Sequence, residues 1–104
     1  MANYRIEISA PAEDDLRDIV RYISAQFAAL ETALGMLETI EQAILQLADI
    51  PQKYPLVRDE RLAMLGCRKL VVKNYVVFYT IDEATQIVDV ERVLYARRNW
   101  QSLL

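Results

Sequence analysis

Polar and apolar positions along this chain change rhythm several times. From Asn3 to Ser9, Tyr4, Ile6 and Ile8 alternate with Arg5 and Glu7, the two-residue period of a half-buried strand. The period then lengthens. Ser9 is a suitable cap, Pro11 is tolerated in a first helical turn, and Glu13, Asp14 and Asp15 complement the positive end of a helix dipole. Leu16, Ile19, Val20, Ile23 and Phe27 follow at spacings of three and four, which predicts an amphipathic helix ending near Gln26. A second helix is predicted over roughly Leu30 to Ala48, with Ala33, Leu37, Ile40, Ile44 and Leu47 as its stripe and Met36 and Ala43 beside it. Gly35 within it costs about 1 kcal/mol against Ala and permits close packing on the first helix. So short a connection makes the two an antiparallel hairpin.

Pro51 and Pro55 close the helical region, and residues 49–65, with Lys53, Tyr54, Arg58 and Arg61, read as the longest irregular stretch. Three β-rich runs follow. Cys67 to Val72 is the first, and Lys73-Asn74 is a tight turn. Tyr75 to Ile81 is nearly all β-branched or aromatic, as in a central strand buried on both faces. Asp82 to Gln86 is a polar turn before the last strand, Ile87 to Tyr95. The tail, Ala96 to Leu104, is expected as one helical turn or a mobile end. The order β-α-α-β-β-β predicts an α+β fold with the hairpin packed on one face of a small, mainly antiparallel sheet. The opposite face, or its rim, is expected to stay open.

Composition narrows the class. The 104 residues fit a single domain, 1–104, and 54% hydrophobic with 26% charged residues argues against disorder. No apolar run approaches the roughly 18 residues of a membrane span, and no signal peptide opens the sequence, so a cytoplasmic protein without membrane contact is expected. The single cysteine, Cys67, excludes an internal disulfide and reads as an inert, half-buried thiol alternating with Lys69. With no histidine, a Ser-His-Asp triad, a Cys-His dyad and a histidine metal site are excluded. No metal or organic cofactor is implied.

Charge is distributed unevenly. Residues 1–60 hold five basic and eleven acidic groups, whereas residues 61–104 hold seven basic and four acidic ones. An acidic front and a basic back describe a polar molecule with one cationic surface.

These residues, in this order, resemble the RelE/ParE superfamily of bacterial type II toxins over nearly the whole chain. The resemblance is carried by the opening strand, the Ser9-Ala-Pro-Ala12 entry to a helix with Asp15-Leu16, and the long hairpin. It continues through Pro51-x-x-Tyr54-Pro55, Gly66-Cys67-Arg68-Lys69-Leu70, Asn74-Tyr75-Val76-Val77-Phe78-Tyr79 and the run Arg92-Val93-Leu94-Tyr95-Ala96-Arg97-Arg98-Asn99-Trp100. It implies a toxin of a plasmid stabilisation or addiction system, neutralised by a cognate antitoxin usually encoded beside it. RelE-like members are ribosome-dependent messenger RNA endonucleases, and ParE-like members inhibit DNA gyrase. The shared scaffold does not choose between these targets.

RNA cleavage on this scaffold requires a group to activate the ribose 2′-hydroxyl, a cation to stabilise the pentavalent phosphate and an acid for the leaving oxygen. The resemblance places Arg68 where nucleases of the superfamily use an arginine, in the Gly-x-Arg-x-Leu segment. Tyr95 falls where many relatives carry a histidine, and Arg97 or Arg98 would assist from the end of the last strand. A tyrosine with a pKa of about 10 can donate a proton there but is a poor base at pH 7. Plainer roles stand beside these: Arg68 pairing with an acidic side chain at the sheet edge, Arg92 as a structural arginine sharing strand parity with Val88, Val90 and Leu94, and Tyr95 packing on the tail. A sequence pI near 4.9, the missing histidine and the long hairpin followed by Pro-x-x-aromatic-Pro favour a ParE-like inhibitor over a nuclease.

The partners expected are the antitoxin and either DNA gyrase or the ribosome with its messenger RNA; the free toxin is expected as a monomer or weak homodimer. The open sheet face and its edges offer room for a partner strand or helix. Arg92, Arg97, Arg98 and Trp100 are the candidate antitoxin- or target-binding residues, and Val71, Val77 and Leu94 are candidates for apolar contact.

Overall fold

A computed structural model describes residues 3–104, apart from the side chains of Phe27 and Gln101, so the place of Phe27 on the first helix's stripe lies outside the described residues. Strand β1 spans Arg5–Ile8 and helix α1 spans Ala10–Phe27. Ser9 caps α1: its Oγ accepts a hydrogen bond from the Ala12 amide at 3.1 Å and its hydroxyl donates to the Glu91 carbonyl at 2.7 Å. Helix α2 runs Leu30–Leu45, and its last turn tightens into a 3₁₀ turn over Gln46–Ala48, so the α-helix is shorter than its apolar stripe. The stretch read as irregular holds a 3₁₀ turn, Pro51–Lys53, and a short helix α3, Glu60–Met64. Asp59 caps α3 by accepting from the Leu62 amide at 3.0 Å. Helix α3 is too short to display a helical period, which is why the pattern of apolar positions passed over it.

Strands β2 (Arg68–Val72), β3 (Tyr75–Asp82) and β4 (Ile87–Tyr95) form the meander. With β1 parallel to β4, the sheet order is β1-β4-β3-β2. Strand β3 is internal, and Tyr75 through Tyr79 are buried on both its faces. The helical hairpin covers one face of the sheet. Ile19, Ile23, Ala33, Ile40 and Ile44 there meet Leu70, Val77, Tyr79, Val88 and Val90.

The opposite face is not open as expected. Val57, Leu62, Cys67, Val76, Phe78 and Leu94 form a second, smaller core, roofed by Trp100, Leu103 and Leu104. Helix α3 and a 3₁₀ turn at Trp100–Ser102 supply this cover, so the tail is a packed element. Of the residues read as contact candidates, Val77 is buried under the hairpin and Leu94 in this second core, and only Val71 is exposed, at 59%.

A bulge overturns one parity argument. Phe78 pairs with Arg92 but Tyr79 pairs with Val90, leaving Glu91 as an extra residue in β4. Val88 and Val90 face the hairpin, whereas Arg92 shares the other face with Leu94.

Candidate functional site

The sheet has two chemically different ends. At one end Arg68 opens β2 and donates through Nη1 to the carbonyls of Tyr54 (2.6 Å) and Gln52 (3.3 Å). It pairs with no acidic side chain at ion-pair distance among the described residues; it holds the Pro51–Lys53 turn against the sheet. The Tyr79 hydroxyl donates to the Pro51 carbonyl at 2.6 Å, fixing the same turn from below. Burial pushes the Tyr79 phenol up to about 12, partly opposed by the nearby Arg68 charge. On the surface beside it, the Tyr4 hydroxyl donates to Glu83 Oε1 at 2.6 Å and Gln52 Nε2 reaches both. Those two hydrogen bonds hold the Glu83 carboxyl below its usual range. Scattered over the chain as Tyr4, Gln52 and Glu83, this lock had no spacing by which to be found.

At the other end the hairpin and sheet diverge around a cleft of about 670 Å³. Ile19, Tyr22, Ile23 and Met36 wall it on the helical side, and Tyr75 and Tyr95 on the sheet side. Tyr75 and Tyr95 meet edge to face with ring centroids 5.9 Å apart, the geometry ring quadrupoles favour. Burial, with Tyr22 and Tyr95 close by, raises the Tyr75 phenol above its ordinary value. Tyr22 is 61% exposed and Tyr95 42%, so the cleft presents aromatic surface to solvent. Asp18, Asn74 and Arg98 give its mouth polar groups. The Ala96 amide donates to the Asn74 carbonyl at 2.8 Å and the Arg98 amide to the Tyr95 carbonyl at 3.0 Å, which sets Lys73, Arg97 and Arg98 at this end. None of these three cations makes an ion pair among the described residues. The cleft's helical wall was legible only as core stripe; no feature of the sequence marked Tyr22 or Asp18.

A sequence profile of the family described as ParE toxin of type II toxin-antitoxin system, parDE, matches residues 6–100. This chain belongs to the ParE toxin family. Among solved structures, the toxin resembles the chromosomal ParDE system from P. aeruginosa with a TM-score of 0.76 at 14% identity, over 93% of this chain and 100% of that one. The RelBE2 toxin-antitoxin complex from Mycobacterium tuberculosis follows at 0.65 and 19%, over 89% and 98%. Toxin RelE of E. coli, as a mutant in its free state, matches at 0.63 and 16%, over 91% and 85%. At such identities these likenesses establish the fold. No curated protein matches the sequence significantly.

The ParE fold does not gather the residues named as a catalytic set. Arg68 pairs with Tyr79 and Tyr95 pairs with Tyr75. Four residues along β3 and two strand spacings separate them, roughly 16 Å between Cα atoms. Tyr95 packs edge to face on Tyr75. Of the binding candidates, Arg97 and Arg98 are both exposed, and Arg98 lines the cleft. Arg92 is half-buried in an ion pair with Asp15, and Trp100 lies on Phe78 with centroids 5.1 Å apart. Both are occupied in holding the fold. Cys67 is more buried than expected, at 4% exposure, just ahead of β2, and burial pushes its thiol up to about 11. In the toxin no described helix is long and apolar enough to cross a membrane.

Proposed function

We propose that this toxin arrests growth by binding a protein target, DNA gyrase, and not by cleaving RNA, and that a cognate antitoxin encoded beside it neutralises it. One observation carries the choice between mechanisms: Arg68, whose Nη1 donates to the Gln52 and Tyr54 carbonyls, stands at the end of the sheet away from Tyr95. A phosphoryl-transfer site needs its cation and its proton donor within hydrogen-bond reach of one phosphate. Here they sit roughly 16 Å apart in the backbone. An mRNA interferase of the RelE kind would have to work from Tyr95, Lys73, Arg97 and Arg98, with no histidine in the chain.

The aromatic cleft suits binding. Exposed tyrosines and an arginine around an apolar floor are the composition that dominates the energy of protein interfaces. Membership of the ParE family and the toxin-antitoxin complexes among the structural relatives support the antitoxin as partner. The test places purified toxin in two assays side by side: supercoiling by gyrase and cleavage of a message on translating ribosomes. Lost supercoiling with intact message is expected. Cleavage inside the reading frame with supercoiling unaffected would reverse the assignment.

A further inference from the structure

The helical hairpin buries one side against the sheet, yet its other side is not uniformly polar. On α2, Leu30, Leu34, Leu37, Glu41 and Leu45 recur at intervals of three and four, which lines them up along one side of the helix. Leu30, Leu34 and Leu45 are exposed, Leu34 by 48%. Single exposed leucines are ordinary on a soluble protein, whereas a row of them marks a contact surface. Beside the row, a groove of about 480 Å³ runs between α1 and α2. Leu16, Val20 and Leu37 line its floor, Arg17 and Arg21 stand on its α1 rim, and Leu34 and Glu41 on its α2 rim. The lining comes from the two helices alone, with no sheet residue in it.

Charge on this face is arranged in two rows, basic on α1 and acidic on α2, where Glu38 follows Leu37. The helices run antiparallel across the Ala28-Ala29 connection, so counting back equally from it sets Val20 level with Leu37, and Arg17 level with Glu41 to within a residue. A two-fold axis parallel to the helices would lay α1 of one copy over α2 of another at the same height. Arg17 of each would then meet Glu41 of the other, and Arg21 would lie within one turn of Glu38. The alternative axis, perpendicular to the helices, would set Arg17 of each copy against Arg21 of the other and press Glu41 onto Leu34, which like-charge repulsion and desolvation oppose. Arg17 already pairs with Asp14 at 2.6 Å and Glu13 at 3.8 Å, and Arg21 with Asp18 at 3.3 Å. These pairs are exposed, so sharing or exchanging them costs little.

We propose that two copies of this toxin associate through the outer groove of the hairpin, about a two-fold axis parallel to the helices, with Leu34 of each seated beside Val20 of the other and Arg17 of each against Glu41 of the other. Helices of 18 and 16 residues are roughly 25 Å long and about 10 Å apart, so the shared face is roughly 500 Å² per copy. That lies at the low end of specific interfaces, which makes the dimer a weak one. The aromatic cleft opens between hairpin and sheet and stays uncovered, so one dimer carries two such clefts.

Sedimentation of the purified full-length toxin from about 1 to 500 µM tests this, with a dissociation constant of about 10–100 µM expected. Leu34→Lys alters an already exposed position, so it should keep the melting temperature and weaken pairing at least about tenfold. Arg17→Glu should also weaken it about tenfold, and Arg17→Glu combined with Glu41→Arg should return it to within about threefold of wild type, because the exchanged charges meet again across the axis. A toxin monomeric throughout the range would overturn the proposal, as would a dimer indifferent to Leu34→Lys. A double variant no stronger than Arg17→Glu alone would remove the Arg17–Glu41 contact and with it the proposed axis. If a charge variant does not fold, the wild type decides: pairing that weakens as salt rises supports the ion contacts, and pairing indifferent to salt overturns them. A monomeric toxin whose Leu34→Lys variant loses affinity for antitoxin or gyrase would give the groove to that partner and overturn the proposal.

Discussion

Asp15 and Arg92 lie 77 residues apart and meet in a two-pronged ion pair, Nε to Oδ2 at 2.7 Å and Nη2 to Oδ1 at 2.8 Å. Their side chains are 8% and 21% exposed. The same carboxylate accepts the Val93 amide at 3.0 Å, and Arg92 Nη1 donates to the Leu103 carbonyl at 3.1 Å. The reason lies in the topology. Strand β1 ends at Ile8, opposite Val90, so β4 continues past its neighbour with a donor bare at Val93. Helix α1 crosses that place and Asp15 supplies the missing acceptor. The bulge at Glu91 turns Arg92 to the outer face, where its guanidinium binds the tail as well. One pair thus ties α1, β4 and the C-terminus together.

Removing one partner leaves the other buried without compensation. Asp15→Ala should cost about 3 kcal/mol, since it strands both a guanidinium and a backbone amide. Arg92→Ala should cost about as much, and the double variant less than the two together. Urea denaturation of the four proteins measures this. Strict additivity would mean that the two side chains do not act as a unit.

That pair also marks the limit of what the sequence reveals. Strand β1, the α1 cap at Ser9, the helical stripes and the buried β3 were legible because each is written in local periodicity or a local cap. The second core was not, since Val57, Leu62, Phe78 and Trp100 come from four segments with no common period. The parity of Arg92 failed on a single inserted residue, Glu91, which no pattern announces. Arg97 and Arg98 were legible as an exposed basic end. The separation of Arg68 from Tyr95 was not, because it is a property of strand register.

Trp100 provides a test of the second core. It roofs Phe78, so Trp100→Ala should cost about 2 kcal/mol, and cutting the chain at Ala96 should cost more by also removing Leu103 and Leu104. Cutting the tail would therefore damage the core and not merely trim a binding end. Thermal melts of both variants measure it; an unchanged midpoint after truncation would contradict the packing described.

The buried Cys67 and Tyr79 make stability fall in alkali. The Cys67 thiol moves from 9.0 to about 11 and the Tyr79 phenol from 10.0 to about 12, both chiefly by burial. Below pH 9 the thiol is neutral in both states and its contribution is complete. As pH rises from 9 towards 11 the unfolded chain ionises and the folded one does not, so stability drains away. Urea midpoints taken every half unit from pH 8 to 10.5 should decline, and Cys67→Val should flatten the early part of the slope. A parallel decline in the variant would remove the thiol from the cause.

Arg68 separates structural from catalytic roles. Its guanidinium makes charge-assisted bonds to two carbonyls, so Arg68→Ala should lower stability by about 2 kcal/mol. Growth arrest on induction should persist wherever the variant still folds at the temperature used. A folded Arg68→Ala protein that no longer arrests growth would return this residue to the chemistry.

Arg97 and Arg98 have the opposite signature. They are exposed, lie beside the aromatic cleft and make no ion pair among the described residues, so nothing in the fold depends on their charge. Reversal of both to glutamate should leave the melting temperature within about 2–4 °C, what a surface change of about 0.5 kcal/mol produces. Engagement of the target should weaken strongly, since truncating or reversing arginines at an interface centre commonly costs about 2 kcal/mol or more. Tyr22→Ala supplies an independent arm. It removes exposed aromatic surface from the helical wall without altering charge, so its loss of binding should be insensitive to salt, whereas the loss from the arginine pair should shrink as salt rises. Gyrase inhibition titrated at two ionic strengths reads both. If both variants inhibit as the wild type does, the cleft is not the surface that meets the target, and the search moves to the acidic hairpin.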